Sequence, residues 1–276
     1  MNYKKGHTIK PKETLLNGVV VFTDGTSDVS PNQISCEAYG YKWDRKSNTC
    51  YGFKSNFKIG KLFQNTTNTK IGSGNVTNKA TENTFINGTK NTTKGNNRNL
   101  LICGESHEVS NGISNASVFG TKGKALRQSE VIIGGGGEAL GRNQSSIVQL
   151  AGVTTNATAT KLTAQGDGSS YMAVQNNSIF AFEVKLIVLC SGGVDGTAGD
   201  YAYLELKGAV QVDDGYNLVF SQSSTTIASV GSTGTAELIG VVDPYITVEV
   251  TGAANRNLEW FASVQITEKK LNTVTF

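Results

Sequence analysis

The sequence predicts an all-β chain in three parts: a small, irregular N-terminal section, a central β-roll, and a C-terminal antiparallel β-sandwich. Three observations predict it. Short apolar runs ending in glycine recur at a fixed spacing through the middle of the chain. After residue 145 the texture changes to longer runs in which apolar and polar residues alternate between turn signals. The 276 residues include 32 glycines, only 3 prolines and 17% charged residues. No long stretch carries a 3.6-residue period, so helices have little to build on.

Residues 1–62 form the first section. Residues 1–7 are polar and no apolar h-region follows, so no secretory signal is expected. Residues 15–22 read as one buried strand, and Thr23-Asp24-Gly25 as a tight turn. Tyr39, Tyr41, Trp43, Tyr51 and Phe53 fall within fifteen residues. That is more aromatic surface than so short a section can bury alone. Two compatible readings follow: an anchor that docks onto another protein through Tyr41, Trp43 and the Cys36/Cys50 segment, or the core of a small cap for the roll. Cys36 and Cys50 read equally as two free thiols or as a disulfide closing a hairpin. A zinc site would need two more ligands, and the histidines are His7 and His107, so no metal is expected. Cys103 and Cys190 read as small buried core residues.

Residues 63–145 hold the repeat. The runs 69–72, 85–88, 101–104, 117–120 and 131–134 end in glycines spaced 16, 16, 16 and 14 residues apart, and Asn83, Asn99 and Asn115 keep step five residues upstream. Sixteen residues are too few for two helices and a turn. They suit one coil of two short strands and two tight turns. The apolar triplet supplies an inward-facing strand, and glycine and asparagine supply corners that accept positive φ. Coils stacked about 4.8 Å apart share a core that none has alone, which predicts a β-roll of about five rungs. Each rung carries only two or three large apolar groups. Three chains side by side would pool their apolar edges, so a homotrimer is expected. The glycine run 134–137 lacks the Gly-Lys-Ser/Thr ending of a phosphate loop and is read as the seam where the roll gives way to the sandwich.

Residues 146–276 form the third section. Apolar runs at 146–150, 160–164, 171–174, 179–190, 201–212, 216–220, 225–230, 235–242, 246–251 and 258–268 are separated by signals such as Asp213-Asp214-Gly215 and Asp243-Pro244. Eight or so antiparallel strands of this kind predict a jelly-roll-like sandwich. Tyr201, Tyr203 and Tyr216 flank two of its loops and are candidate receptor-binding residues that would stack on sugars. Taken one at a time, each is also an ordinary strand aromatic.

Composition also bounds the function. The net charge is +3 with Lys and Arg scattered, which argues against nucleic acid as a partner. No apolar run reaches the roughly 18 residues of a membrane span, so no membrane insertion is expected. An exterior-type β protein without an export signal fits a virion component, made in a host cytoplasm and released by lysis. Two histidines make a Ser-His-Asp or Cys-His site hard to build, and His107 reads as part of a solvated turn. Asp195, Asp200, Asp213 and Asp214 read as turn formers rather than as acid pairs on a groove. The chain is therefore expected not to be an enzyme and to carry no cofactor.

The C-terminal section resembles a domain that ends many bacteriophage tail and fibre proteins. The likeness rests on residues 152–160, 178–184, 199–202, 246–252 and 258–264, over about 120 residues. The repeat looks like the β-roll heads of trimeric adhesins, with a different repeat length. The cysteine-flanked segment resembles N-terminal regions of phage fibres. The resemblance implies a trimeric virion fibre, attached to other virion proteins by its N-terminus and presenting its C-terminus to a host-surface glycan or protein. The alternatives it leaves are a capsid-attached head fibre or decoration protein, and a polysaccharide-degrading tailspike.

Overall fold

The computed structural model describes residues 9–15, 17–52, 67–137, 139–231, 234–242 and 244–271. The expectations placed on residues 1–7, Leu16, Phe53 and Asp243 lie outside them. The chain forms two compact units, Met1–Asn65 and Thr66–Phe276.

The first unit holds β1 (Lys10–Thr14), β2 (Val20–Thr23), β3 (Asp28–Val29), α1 (Gln33–Ala38), β4 (Lys42–Asp44) and β5 (Thr49–Tyr51). The expected single strand over 15–22 is instead a turn followed by β2. Leu15 is exposed, Gly18 takes φ +84°, and the turn between them closes the β1–β2 hairpin. The Asn17-Gly18 pair is the hairpin signal that the apolar run concealed. Helix α1 starts because Asn32 and Ser35 cap each other reciprocally. Cys36 on α1 is bonded to Cys50 on β5, so the disulfide ties a helix to a hairpin rather than closing a hairpin. Tyr41 and Trp43 pack against Val20, Phe22 and this disulfide. The aromatic cluster thus has a core of its own.

The second unit begins with a solenoid. Its long strands are β6 (Thr69–Ile71), β8 (Glu82–Thr89), β10 (Arg98–Glu105), β12 (Ser117–Thr121) and β14 (Val131–Gly135). Its short ones are β7 (Val76–Thr77), β9 (Thr92–Thr93), β11 (Glu108–Val109) and β13 (Lys124–Ala125). The long strands pair in parallel in the order β6-β8-β10-β12-β14, and the short ones as β7-β9-β11-β13. This is about four full turns rather than five. The register aligns Gly88, Gly104, Gly120 and Gly134 rung on rung. At Gly88 (φ +145°) an added Cβ would overlap the carbonyl oxygen of Gly104 one rung on, so the stacking distance itself requires glycine there.

The apolar triplets do not face inward as a whole. Successive strand residues point to opposite sides. Ile86, Ile102, Val118 and Ile132 are buried, while Phe85, Leu101, Val131 and Ile133 are exposed. The solenoid core is accordingly small: Ile86, Leu100, Ile102, Val109, Ile113, Ala116, Val118, Ala125 and Ile132. Cys103, expected inside, lies on the outward parity and is half-buried, whereas Cys190 is buried.

Ten more strands follow: β15 (Asn143–Thr154), β16 (Ala159–Lys161), β17 (Thr163–Ala164), β18 (Met172–Ala173), β19 (Ser178–Gly192), β20 (Tyr201–Val212), β21 (Leu218–Val230), β22 (Thr235–Gly240), β23 (Tyr245–Thr251) and β24 (Asn257–Lys270). The glycines at 134–137 do not end the sheet. Gly134 and Gly135 lie within β14, Gly136 and Gly137 take positive φ, and β15 returns antiparallel alongside β14. One sheet therefore runs on as β14-β15-β24-β19-β20-β21. A smaller sheet, β16-β23-β18 with β22 on β23, covers part of its inner face. The core between them includes Phe180, Leu186, Leu206 and Trp260 from the long sheet and Leu162, Met172, Leu238 and Val248 from the other side.

Candidate functional site

Hydrogen-bonding side chains stack through the solenoid with the same 16-residue step as the glycines. The Asn75 side-chain oxygen accepts from the Asn91 backbone N–H (3.0 Å), that of Asn91 from His107 N–H (3.0 Å), and His107 Nδ1 from Gly123 N–H (2.9 Å). The side-chain nitrogen of Asn91 also donates to Gly104 O at 2.9 Å. His107 is thus a buried rung of an amide ladder, not a solvated turn. Burial holds its pKa below the usual 6.5, against hydrogen bonding to backbone that pulls it up. The predicted corner residues Asn83, Asn99 and Asn115 form a second, exposed ladder. All three take positive φ, and each of the first two donates its side-chain amide to the next (3.3 and 2.8 Å).

A second buried polar group closes the solenoid where it meets β15. Arg127 is fully buried and donates to Glu130 (2.6 Å), Glu268 (3.3 Å), Ser146 (3.3 Å) and Ala173 O (2.7 Å). Gln144 donates to Glu268 as well (3.1 Å). Buried charges persist only when paired in this way. The partners lie up to 141 residues apart in sequence, and no local pattern announces them.

The outer face of the long sheet is a further candidate surface. Cross-strand register places Phe85, Leu101, Ser117, Val131 and Ile147 in one row, and Asn87, Cys103, Phe119, Ile133 and Ser145 in the next, with Ile71 at its end. Ile133 is 61% exposed and Val131 43%. Farther along, Ala151, Phe261, Ile187 and Tyr203 form a third row, and Val153, Glu259, Leu189 and Tyr201 a fourth. Between these patches lies a charged belt in which Lys207 pairs with Glu183 (3.5 Å) and Glu205 (3.0 Å). Tyr203 donates its hydroxyl to Glu205, which holds that carboxyl below its usual range.

The structure thus puts Tyr201 and Tyr203 on one apolar patch. It does not bring Tyr216 to them: Tyr216 sits in the turn after β20, at the opposite end of that strand, half-buried against the core. Tyr41, Trp43, Cys36 and Cys50 belong to the first unit. The loop acids are engaged locally. Asp200 pairs with Arg256 (2.9 Å), Asp195 accepts from Asn255 (2.8 Å), Asp213 accepts from Asn217, and Asp214 from Asn177 (2.8 Å).

On the outer face of the smaller sheet, Glu237 stands directly opposite Glu249, and Lys161 stands opposite Glu249 on the other side. A hollow of about 230 Å³ is lined by the two glutamates with Thr235, Ala236 and Thr251. A third surface is a cleft of about 390 Å³ between the last solenoid corners and the loop before β18. Among the described residues, no helix is long and apolar enough to cross a membrane.

No protein-family profile matches the sequence, and no curated protein matches it. Solved structures do show likeness. One is the tailspike protein of Acinetobacter baumannii phage AM24 (11% identity, TM-score 0.27, 75% of this chain and 50% of that chain). A second is tailspike protein gp49 of Acinetobacter baumannii bacteriophage Fri1, described as a capsular polysaccharide depolymerase (8%, 0.26, 67% and 42%). A third is the tailspike protein of Acinetobacter phage vB_ApiP_P1 (9%, 0.22, 74% and 48%). The chain spans half or less of the length of each. The Fri1 description overturns the expectation that the chain is not an enzyme, which rested on scarce histidines and on loop acids read as turn formers.

Proposed function

We propose that the chain is a homotrimeric virion appendage of the tailspike or fibre kind, attached through its N-terminal unit and binding polysaccharide on a host surface. One observation carries the reading: the outward rows on the solenoid carry exposed apolar side chains in every rung but one, Ile71, Phe85, Leu101, Val131, Ile133 and Ile147. At about 4.8 Å per strand they extend roughly 25 Å. An exposed apolar stripe of that length marks an association surface. Two further copies presenting the same stripe would cover it, and they would supply the core that each thin solenoid lacks. The resemblance of the C-terminal strands to phage fibre ends supports the same reading.

Cleavage of the bound polysaccharide is a second reading, favoured by the Glu237–Glu249 pair. Side chains directly opposite on antiparallel strands have Cβ atoms about 4.5–5.5 Å apart, and like charges there are destabilising. Glycoside hydrolysis uses a pair of carboxyl groups, about 5–5.5 Å apart in retaining enzymes, and two glutamates placed opposite each other are such a pair. Incubating the purified protein with capsular polysaccharide of a susceptible host tests both readings. Retention of intact polysaccharide supports the binder. Release of oligosaccharides, abolished in Glu237→Gln and Glu249→Gln, supports the hydrolase. An outcome with no retention and no release contradicts the proposal.

A further inference from the structure

The cleft beside the last solenoid corners has the chemistry of a site for an uncharged sugar. Asn111, Gln128, Ser169, Ser170, Tyr171 and Tyr245 contribute to its wall, and among the described residues no Asp, Glu, Lys or Arg lines it. Its volume, about 390 Å³, lies within the range of ligand sites. We propose that it binds a neutral pyranose unit, a hexose or N-acetylhexosamine, of a surface polysaccharide; the proposal rests on the host-polysaccharide reading and names where and what kind of sugar.

The amides in the wall are fixed before any ligand arrives. Asn111 Oδ1 accepts from the Asn96 N–H at 2.8 Å, and Gln128 Oε1 accepts from Ser114 N–H at 2.8 Å. Those donors are backbone N–H groups, so each amide's orientation is set by the rung beside it. Gln128 gives one N–H to Gly112 O and keeps a second. The side-chain NH₂ of Asn111 donates to no protein atom among the described residues. The opposite wall is stiffened by Asp167, which accepts from Ser169 N–H (2.8 Å) and Ser170 N–H (2.7 Å), and from the Ser170 hydroxyl. Burial pulls the Asp167 pKa up, and these bonds outweigh it and hold the carboxyl below its usual range. A loop held this way loses little freedom when a ligand binds.

Tyr171 and Tyr245 complete the wall. Neither phenol hydroxyl has a protein partner among the described residues, and Tyr245 is 41% exposed. Tyrosine offers an apolar ring face together with a polar tip. A pyranose has the matching pair of features, an apolar C–H face and a rim of hydroxyls. Neutral amides and phenols donate and accept without favouring charge, so the wall offers hydrogen bonds but no counter-charge to offset desolvation of a uronic or sialic carboxylate. The cleft is assembled from two solenoid corners, the loop at 167–171 and the start of β23, and its first and last wall residues, Asn111 and Tyr245, lie more than a hundred residues apart.

Binding of the full-length protein to arrayed oligosaccharides tests this, with neutral hexose and N-acetylhexosamine chains beside uronic- and sialic-acid chains of equal length. The expected result is binding of neutral chains, weakened at least tenfold in both Tyr245→Ala and Tyr171→Ala, with far-UV circular dichroism unchanged. Because Tyr245 is exposed, its replacement leaves the core intact. Neutral binding unaffected by either substitution overturns the cleft and leaves the host-polysaccharide reading standing. Binding of acidic chains only overturns the sugar class. No binding to any chain, together with no retention of host polysaccharide, overturns the underlying reading along with this one.

Discussion

Strand β12 in the solenoid sends one apolar side chain, Val118, into the core, while β19 sends six, from Phe180 to Cys190, with the Ser178 hydroxyl as a seventh buried residue. The two strands belong to one sheet. The C-terminal half is held by apolar area between two layers. The solenoid has little such area, and its rungs are fixed by backbone pairing, glycine contacts and the Asn75–Asn91–His107 ladder. The difference teaches that a thin repeat can be highly specific in register and still be poor in burial, so it is the part of the molecule that most needs a partner.

Single substitutions separate these two kinds of support. Gly88 and Gly192 both have strongly positive φ, but an added Cβ would overlap the Gly104 backbone at Gly88 and meet nothing within 4 Å at Gly192. Gly88→Ala is expected to cost about 4 kcal/mol or more, or to prevent the solenoid from stacking. Gly192→Ala is expected to cost about 1–2 kcal/mol from backbone strain alone. Urea unfolding of both variants measures the gap, and equal losses would break the distinction. Leu186→Ala comes next, at about 3 kcal/mol for a cavity in the C-terminal core. Asn91→Ala follows at about 2 kcal/mol. It removes little apolar surface, but leaves the His107 N–H and Gly104 carbonyl of the interior without their partner.

The smallest expected effect is that of pH on the solenoid. His107 has a folded pKa below 6.5, so as pH falls the unfolded chain takes up its proton before the folded one does. Stability is therefore fully present above about pH 6.5 and declines as the pH drops below it. Thermal melts between pH 7.5 and 5 read the slope. His107→Asn supplies the amide that the ladder uses at Asn75 and Asn91, and is expected to flatten that slope without unfolding the chain. An unchanged slope would place the pH dependence elsewhere.

Much of the fold could be read from the sequence because stacking imposes a fixed period. Glycine is needed at 88, 104 and 120 by rung-to-rung contact, so the phase shows directly. The facing of the triplets could not be read that way: a period gives the rung length but not which of Phe85, Ile86 and Asn87 points inward. His107 hid its role because a histidine stands where the preceding rungs carry asparagine. The Arg127–Glu130–Glu268 cluster and the Tyr171–Tyr245 cleft join distant segments, and only the folded register brings them together. The runs at 216–220 and 225–230, read as two strands, form the single strand β21, because the polar residues between them lie at an exposed sheet edge and cost nothing there.

In the proposed trimer, two further copies of the chain cover the outward apolar rows of the solenoid. Multi-angle light scattering of the intact protein tests it directly. A mass of three chains, falling to one in the double substitution Leu101→Asp with Ile133→Asp, is the predicted result. A mass of one chain for the unsubstituted protein at micromolar concentration would contradict it.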